Sequence, residues 1–184
     1  MLFRSVSKSW SEVATAAGPG GLEAEADFQA ESPTFPFGAH VAVVEVDTET
    51  GLARLVRMIT CDDAGTVLNP MLVEGQRHGG IAQGVAQALY EWVRYDEDGN
   101  PQTTNLADYT MVSAAELPSF ELVTMETPTP INPLGAKGIG ESGTIGSTPA
   151  VQSAVCDALA HLGVRHVDMP CTPERIWEAV RAAG

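Results

Sequence analysis

The segment from Gly135 to Pro149, with the sequence GAKGIGESGTIGSTP, constrains the fold of this chain more than any other. Glycine tolerates positive φ angles and lets the backbone lie close to a neighbouring group. One carboxylate, Glu141, lies in the middle of the segment. Thr148 and Pro149 are typical of a helix start, and residues 150–162 are typical of a helix. The sequence therefore predicts a glycine loop that leads into a helix N-terminus, and such ends attract anions. The five glycines of the segment are Gly135, Gly138, Gly140, Gly143 and Gly146.

Part of this segment, Gly138 to Gly143, matches the dinucleotide-binding pattern GxGxxG, but its surroundings do not. That pattern directly follows a buried strand, whereas Pro128, Pro130 and Pro133 precede it here. Proline cannot donate a hydrogen bond to a central sheet ladder, and a glutamate in the turn would repel a pyrophosphate. These features disfavour a nicotinamide or flavin fold. The simpler alternative, a structural glycine loop with a solvated glutamate, stays open.

The composition limits the classes of partner. The chain has 184 residues, of which 44% are hydrophobic, and can bury one sizeable core. Its 24 acidic and 10 basic residues give a net charge of −14, which argues against binding to nucleic-acid backbones or anionic membranes. Cys61, Cys156 and Cys171 have no metal-binding spacing and fit reduced thiols. With neither a membrane-length apolar run nor a signal peptide in the sequence, we expect a cytoplasmic protein.

Hydrophobic periodicity predicts an α+β fold. Residues 1–38 are expected to be irregular apart from a short helix at Trp10–Ala17, and residues 39–184 to form the folded part. The weakly patterned start suggests a chain that begins part-way through a larger unit. The predicted elements are a hairpin of strands at 41–46 and 52–60, a helix from Asn69 to Arg94, a strand at 120–126, a helix at 150–162, a strand at 166–169, and a helix at 173–184 capped by Thr172.

Two polar features within these elements have more than one interpretation. Asp62 and Asp63, at the end of the second strand, are either turn formers, which is the favoured interpretation, or metal ligands. Gln76 in the long helix either touches a ligand or is solvated. It lies among three glycines, each costing about 1 kcal/mol relative to alanine in a helix, so close approach of a helix or a bound group is expected. These glycines are Gly75, Gly79 and Gly80.

Four longer runs carry a family likeness. They are TFPFGAH at 34–40, NPMLVEGQRHGGIAQG at 69–84, NPLGAKGIGESG at 132–143 and MPCTPER at 169–175. On these runs the sequence resembles the C-terminal part of the molybdenum-binding large subunit of the xanthine dehydrogenase and aldehyde oxidase superfamily. Within that superfamily the likeness is greatest to the large chains of aerobic carbon monoxide dehydrogenases.

The resemblance implies roles for particular residues. It makes Glu141 the general base of an oxidation at a molybdenum–pterin cofactor, and Gln76 a contact to the pterin. It assigns no side chain of this chain as a metal ligand. The implied cofactor is the cytosine dinucleotide form of molybdopterin, with iron–sulfur and FAD centres on partner subunits. Further implied cofactor contacts are Gly79, Gly80, Gly138 and Gly140.

The sequence also departs from the family pattern. Large subunits of the family are several times longer, and the loop that binds copper in carbon monoxide dehydrogenases has no counterpart here. We therefore expect a fragment, the product of a split reading frame, or a small subunit whose site is completed by the N-terminal remainder of a large subunit. The substrate stays open among carbon monoxide, an aldehyde and an N-heterocycle. The alternative is a catalytically inactive remnant that acts as a subunit-interaction module.

Overall fold

The computed structural model describes residues 7–184, which divide into two compact units. The first unit ends at Glu31 and contains helix α1, Trp10–Ala17, followed by a 3-10 turn at Gly18–Gly20. This helix confirms the one predicted from the sequence. Residues 1–6 of the predicted irregular segment lie outside the described residues. The division of the chain at residues 38 and 39 stays a prediction.

The second unit, Ser32–Gly184, contains a three-stranded sheet and three α-helices. The central strand β2 runs antiparallel to β1 and parallel to β3. Mixed helices and sheet confirm the predicted α+β class. In chain order the elements are β1 Phe37–Val46, β2 Ala53–Asp63, α2 Pro70–Leu89, β3 Phe120–Met125, α3 Ser142–Leu159 with a 3-10 turn at Ala160–Leu162, and α4 Pro173–Ala183.

Strands β1 and β2 form the predicted hairpin, and both are longer than the sequence predicts. Their register shifts between Val43 and Val44, where Val56 of β2 is left without a partner residue in β1. The bulge interrupts the alternation of buried side chains in β2, so that the next buried residue after Leu55 is Met58, three positions on. Beyond Met58 the buried positions of β2 become polar. They are Thr60, Asp62 and Asp63.

The core of the second unit is built from β2 and all three of its helices. Its side chains alternate along β2 and recur at helical spacing in α2 and α3. Burying one large aliphatic side chain contributes about 1.5–3 kcal/mol, so this cluster is the main source of stability. Its members with no exposed surface are Met58, Ile81, Val85, Ala88, Val151, Val155, Leu159 and Ile176.

Helices α2 and α3 approach each other through small residues. A Cβ atom on Gly143 would lie 2.8 Å from the carbonyl oxygen of Arg77 and 2.9 Å from the amide nitrogen of Ile81. A Cβ atom on Gly80 would lie 3.1 Å from Cα of Gly143. The hydroxyl of Thr144 donates a hydrogen bond of 2.9 Å to the carbonyl of Gly80. Helix contact is therefore the reason for a glycine at position 80.

Helix α3 begins at Ser142, so the predicted start at Thr148 is wrong. Glycine propensity disfavours a helix over this stretch, but close packing outweighs it. A Cβ atom on Gly146 would lie 2.5 Å from the imidazole ring of His40. Pro149 therefore lies inside α3, where it has no N–H to donate to the preceding turn.

Helix α2 ends at Leu89, five residues before the predicted Arg94. The backbone amides of Tyr90 and Glu91 both donate to the carbonyl of Ala86, at 2.8 and 2.9 Å. This shared acceptor closes the last turn and turns the chain away from the helix axis. Apolar periodicity beyond residue 89 therefore belongs to a loop.

Residues 166–169 form no strand, contrary to the prediction. The carbonyl of Val167 accepts a hydrogen bond of 2.9 Å from the side-chain amide of Gln152 in α3. The guanidinium of Arg175 donates 2.5 Å to the carbonyl of Met169. Side chains thus satisfy this backbone in place of a sheet ladder. Strand β3 and helix α4, whose N-cap is Thr172, confirm the predictions for those elements.

Replacing Gly143 with alanine is expected to lower the free energy of unfolding by about 1–3 kcal/mol, because the new methyl group meets backbone atoms of α2. Gly75→Ala is the matched control. Its Cβ enters open space, and losing a helical glycine should raise stability by about 0.5–1 kcal/mol. Urea denaturation of both variants measures the two effects. A free energy of unfolding of Gly143→Ala equal to or above that of the parent protein would contradict the described contact between α2 and α3.

Candidate functional site

Gln76 and Glu141, the two polar residues predicted to act at the cofactor, lie at neighbouring points of the structure. Gln76 is exposed in the second turn of α2, and its Oε1 lies 3.9 Å from the position of a Cβ atom on Gly140. Glu141 follows Gly140 as the exposed N-cap residue of α3. We refer to the exposed surface of Gln76, Gly79 and residues 138–141 as the loop–helix surface.

The glycines predicted as cofactor contacts differ in their surroundings. No atom outside the adjoining residues, or for Gly79 the backbone of its own helix, lies within 4 Å of the Cβ position of Gly79 or of Gly138, so both face open space. Gly140 faces the amide of Gln76, as described above. Gly80 is packed against α3, which gives it a structural reason to be glycine. Their roles as cofactor contacts stay predictions.

The loop–helix surface carries side chains that can donate and accept hydrogen bonds, as the binding of a polar, flat organic cofactor requires. The amide of Gln76 both donates and accepts hydrogen bonds, and the carboxylate of Glu141 accepts them. Neither side chain has a hydrogen-bond or ion-pair partner within residues 7–184. The first turn of α3 has no side-chain cap, so its amides leave a partial positive charge beside Glu141. The residues at this surface therefore fit a polar bound group that offers both hydrogen-bond donors and acceptors.

The first half of the glycine loop is fixed to the end of β2 by backbone hydrogen bonds. The amide of Lys137 donates 2.8 Å to the carbonyl of Ala64, and the amide of Thr66 donates 2.9 Å to the carbonyl of Gly135. Gly135 has a φ of 67°, which favours glycine at this position. The loop therefore leaves the sheet at a fixed point before it reaches residues 138–141.

Asp63 is the buried anchor of this loop. Its Oδ1 accepts hydrogen bonds from the amides of Gly65 at 2.7 Å and Thr127 at 3.1 Å, and the ammonium of Lys137 lies 3.4 Å away. Burial raises the pKa of Asp63, but the hydrogen bonds of Thr127 and Gly65 and the charge of Lys137 outweigh it and lower the pKa from 3.8 to about 2. The carboxylate is therefore ionised throughout the neutral range.

A second buried carboxylate, Asp62, joins β1 to α2. Its Oδ1 accepts a hydrogen bond of 2.9 Å from Nε2 of His40, and its Oδ2 accepts one of 2.8 Å from Nε of Arg77. The three side chains are at most 4% exposed. Burial by itself favours a higher pKa for Asp62. The hydrogen bonds from His40 and Thr60, together with the charges of His40 and Arg77, outweigh burial, and the net effect is a lowered pKa.

Arg77 extends this network to the rest of the sheet. Its Nη2 donates to the carbonyl of Thr60 at 3.0 Å, to the hydroxyl of Thr60 at 2.9 Å and to the carbonyl of Val123 at 2.8 Å. A buried guanidinium is tolerated only when its donors are paired in this way. The network therefore connects α2 to β2 and β3 at the end of the sheet beside the loop–helix surface.

Sequence reasoning missed the network of His40, Asp62 and Arg77. The favoured interpretation of the aspartates as turn formers holds only for Asp63, which bonds to the amide two residues on. One signal was present in the sequence: Arg77 follows Val73 and precedes Ile81 at spacings of four, inside the apolar stripe of α2. A charged residue at such a position predicts a buried and paired side chain.

A cleft between β1 and α3 is adjacent to the loop–helix surface. It has a volume of 570 Å³ and is lined by the start of β1 and the outer side of α3, including Phe37, His40, Ser142 and Gly146. Gln76 and Gly79 do not line it. Within residues 7–184 no group of three His, Cys, Asp or Glu side chains is arranged to hold a metal ion. Among the helices described, none combines the length and apolarity needed to cross a membrane.

Comparison with known proteins identifies the family. The family model described as the molybdopterin cofactor-binding domain matches residues 2–118, which is more than half of the chain. The chain belongs to this family. The match includes Gln76 and Gly79, and it ends before the glycine loop. The family and fold predicted from the sequence are thereby confirmed.

Individual relatives extend the likeness through the loop. The carbon monoxide dehydrogenase large chain of Hydrogenophaga pseudoflava is 42% identical over 161 residues, covering 88% of this chain and 20% of that protein. The 6-hydroxypseudooxynicotine dehydrogenase complex subunit gamma of Paenarthrobacter nicotinovorans is 42% identical over 158 residues, 85% of this chain and 20% of that protein. Matches of these lengths necessarily include residues 138–141.

The solved structures agree with this assignment. The crystal structure of a Cu,Mo-CO dehydrogenase superposes with a TM-score of 0.86 at 38% identity, covering 94% of this chain and 22% of that one. This chain therefore spans about a fifth of the length of the relatives it matches.

Lowering the pH from 4 to 2 is expected to remove the stabilisation that ionised Asp63 provides. The pKa of Asp63 is about 2 in the folded protein, below its ordinary value of 3.8. The stabilising contribution of the carboxylate is therefore fully present above pH 3.8 and is lost as the pH falls through the folded-state pKa. Asp63→Asn, which keeps the acceptor for both amides, should show a flatter pH dependence of unfolding free energy. The exposed Asp98→Asn is the control, and parental pH dependence in Asp63→Asn would refute the assignment.

Proposed function

We propose that this chain supplies part of the molybdenum–pterin site of a molybdenum hydroxylase, with Glu141 as the general base. The observation that carries this proposal is the exposed Glu141 at the N-cap position of α3, where no side chain caps the helix. Gln76 lies beside the preceding Gly140. A carboxylate held on a rigid helix start is well placed to accept a proton. The redox chemistry belongs to the cofactor when it is bound.

Three groups of this chain would act toward the cofactor and substrate. The amide of Gln76 would hydrogen-bond to polar atoms of the pterin. The open positions of Gly79 and Gly138 would let a flat ring system lie against the backbone without a side chain between them. Glu141 would accept the proton released when the substrate carbon is oxidised.

The wider assembly belongs to the same proposal. The relatives are the carbon monoxide dehydrogenase large chain and a subunit of a dehydrogenase complex, and this chain corresponds to about a fifth of each. We propose that the remaining large-subunit sequence, an iron–sulfur subunit and a flavin subunit complete the enzyme, and that the pterin carries a cytosine dinucleotide. Carbon monoxide, an aldehyde and an N-heterocycle remain the candidate substrates. The cytoplasmic location stays a prediction.

Glu141→Gln in the assembled, cofactor-loaded enzyme is expected to lower the rate of substrate-dependent reduction by about a hundredfold to ten-thousandfold, because the basic oxygen is lost. Glutamine keeps the size and most of the hydrogen bonding, so molybdenum content should stay at the parental level. Molybdenum content and reduction rate are measured on the same sample. Glu178→Gln, an exposed change on α4, is the control.

Two outcomes of this experiment would count against the proposal. A fully loaded Glu141→Gln enzyme that reduces at the parental rate would make Glu141 a structural loop residue. Absence of molybdenum and pterin from the assembled parental complex would favour the inactive subunit-interaction module.

Gly79→Leu is expected to lower molybdenum and pterin content in the assembled enzyme while the fold is kept. The Cβ atom of the leucine enters open space in this chain, so we expect the fold to accommodate the side chain and the side chain to collide with a group bound at the loop–helix surface. Circular dichroism and metal analysis of the same sample separate the two effects. Glu178→Leu adds the same side chain to an exposed position of α4 and should leave cofactor content unchanged. Parental cofactor content in Gly79→Leu would place the cofactor elsewhere.

A further inference from the structure

We infer that Asp62 is a positioning residue that sets the places of both Gln76 and Glu141, through Arg77 on one side and His40 on the other. The inference rests on the proposed function, which makes Gln76 and Glu141 the acting residues. Asp62 is 1% exposed at its side chain and does not belong to the loop–helix surface. Its effect must therefore pass through the side chains that it holds.

The first arm runs from Asp62 to Gln76. Asp62 Oδ2 accepts from Nε of Arg77, and Arg77 directly follows Gln76 in the second turn of α2. The apolar core contacts of α2 begin only at Ile81, one turn later. Apart from the contact of Gly143 with the Arg77 carbonyl, the orientation of the first two turns, and with it the position of the Gln76 amide, therefore depends on how the guanidinium is held.

The second arm runs from Asp62 to Glu141. Asp62 Oδ1 accepts from Nε2 of His40, which leaves Nδ1 of the ring without a partner. The edge of the ring that carries Nδ1 lies against Gly146, where a Cβ atom would be 2.5 Å from Nδ1. The imidazole thus acts as a spacer between β1 and α3. Its position sets the distance of the first turns of α3 from the sheet, and Glu141 is the residue at which α3 begins.

The two arms use both oxygens of one carboxylate. Asparagine has a single acceptor oxygen and an amide nitrogen that donates. If its nitrogen faced Arg77, two donors would meet. If it faced His40, the ring proton would have to move to Nδ1, where Gly146 offers no acceptor. Asp62→Asn must therefore lose one arm outright and weaken the other, because a neutral amide oxygen forms a weaker hydrogen bond than a carboxylate oxygen does, although the variant keeps the shape of the side chain.

The first experiment measures hydrogen exchange of backbone amides in the 184-residue chain by mass spectrometry. In Asp62→Asn we expect exchange to rise about five- to a hundredfold, as the loss of a buried hydrogen bond implies, in peptides covering residues 70–80 and residues 139–148. Glu45→Gln is the matched control, because it removes an exposed ion pair with Arg54 in the same hairpin. Parental exchange in either peptide would overturn the inference.

Single-arm variants keep the inference testable if Asp62→Asn does not fold. His40→Gln retains a donor for Asp62 but removes the ring beneath Gly146, so only residues 139–148 should exchange faster. Arg77→Lys retains the charge but loses the forked contacts to Thr60 and Val123. Amide exchange should therefore rise most in residues 70–80. Identical exchange patterns in the two variants would contradict two separate arms.

The second experiment uses the assembled, cofactor-loaded enzyme. Asp62→Asn is expected to lower kcat by up to about a hundredfold through misplacement of the acting groups, with KM and molybdenum content near parental values. Parental kcat with faster exchange in both peptides would overturn the positioning role. Parental kcat in Glu141→Gln, by contrast, would overturn the proposed function and leave the coupling of the two segments through Asp62 intact.

Discussion

The buried ion pair of Asp62 and Arg77 is the interaction on which the functional end of this structure depends. Removing one member of a buried pair leaves an uncompensated charge and costs about 3–5 kcal/mol. The pair is tolerated because both remaining nitrogens of Arg77 meet carbonyl or hydroxyl oxygens of the sheet. Apolar residues in these positions could be equally stable. Ionic groups add direction, since each hydrogen bond joins α2 to a defined atom of the sheet.

The position of the glycine loop follows from this arrangement. Asp63, the next residue of β2, holds the first half of the loop through Lys137 and neighbouring amides. The second half becomes the first turn of α3, which lies on α2 through Gly143. Between these anchors Gly138, Gly140 and Glu141 are exposed, and no side chain caps the start of α3. A loop with two fixed ends and a short exposed middle presents its carboxylate in one place, which is what a general base requires.

Local patterns in the sequence account for much of the fold but for little of the site. Alternation and turn residues predicted the hairpin, and a threonine–proline pair predicted the start of α4. The start of α3 could not be predicted, because glycine propensity opposes a helix there and the compensating contact with His40 is distant in sequence. Pairing of Asp62 with Arg77 likewise depends on chain topology. Gln76 and Glu141 were identified by family resemblance, since spacing alone leaves both open to a solvated interpretation.

The most direct measurement is anomalous X-ray diffraction at the molybdenum edge from crystals of the assembled, cofactor-loaded complex. It locates the metal without reference to any residue assignment. We expect a single strong peak next to the loop–helix surface, with the carboxylate of Glu141 as the nearest acidic group of this chain and pterin density beside Gln76. A peak on another face of the chain, with Glu141 in bulk solvent, would contradict the assignment of this surface to the molybdenum cofactor.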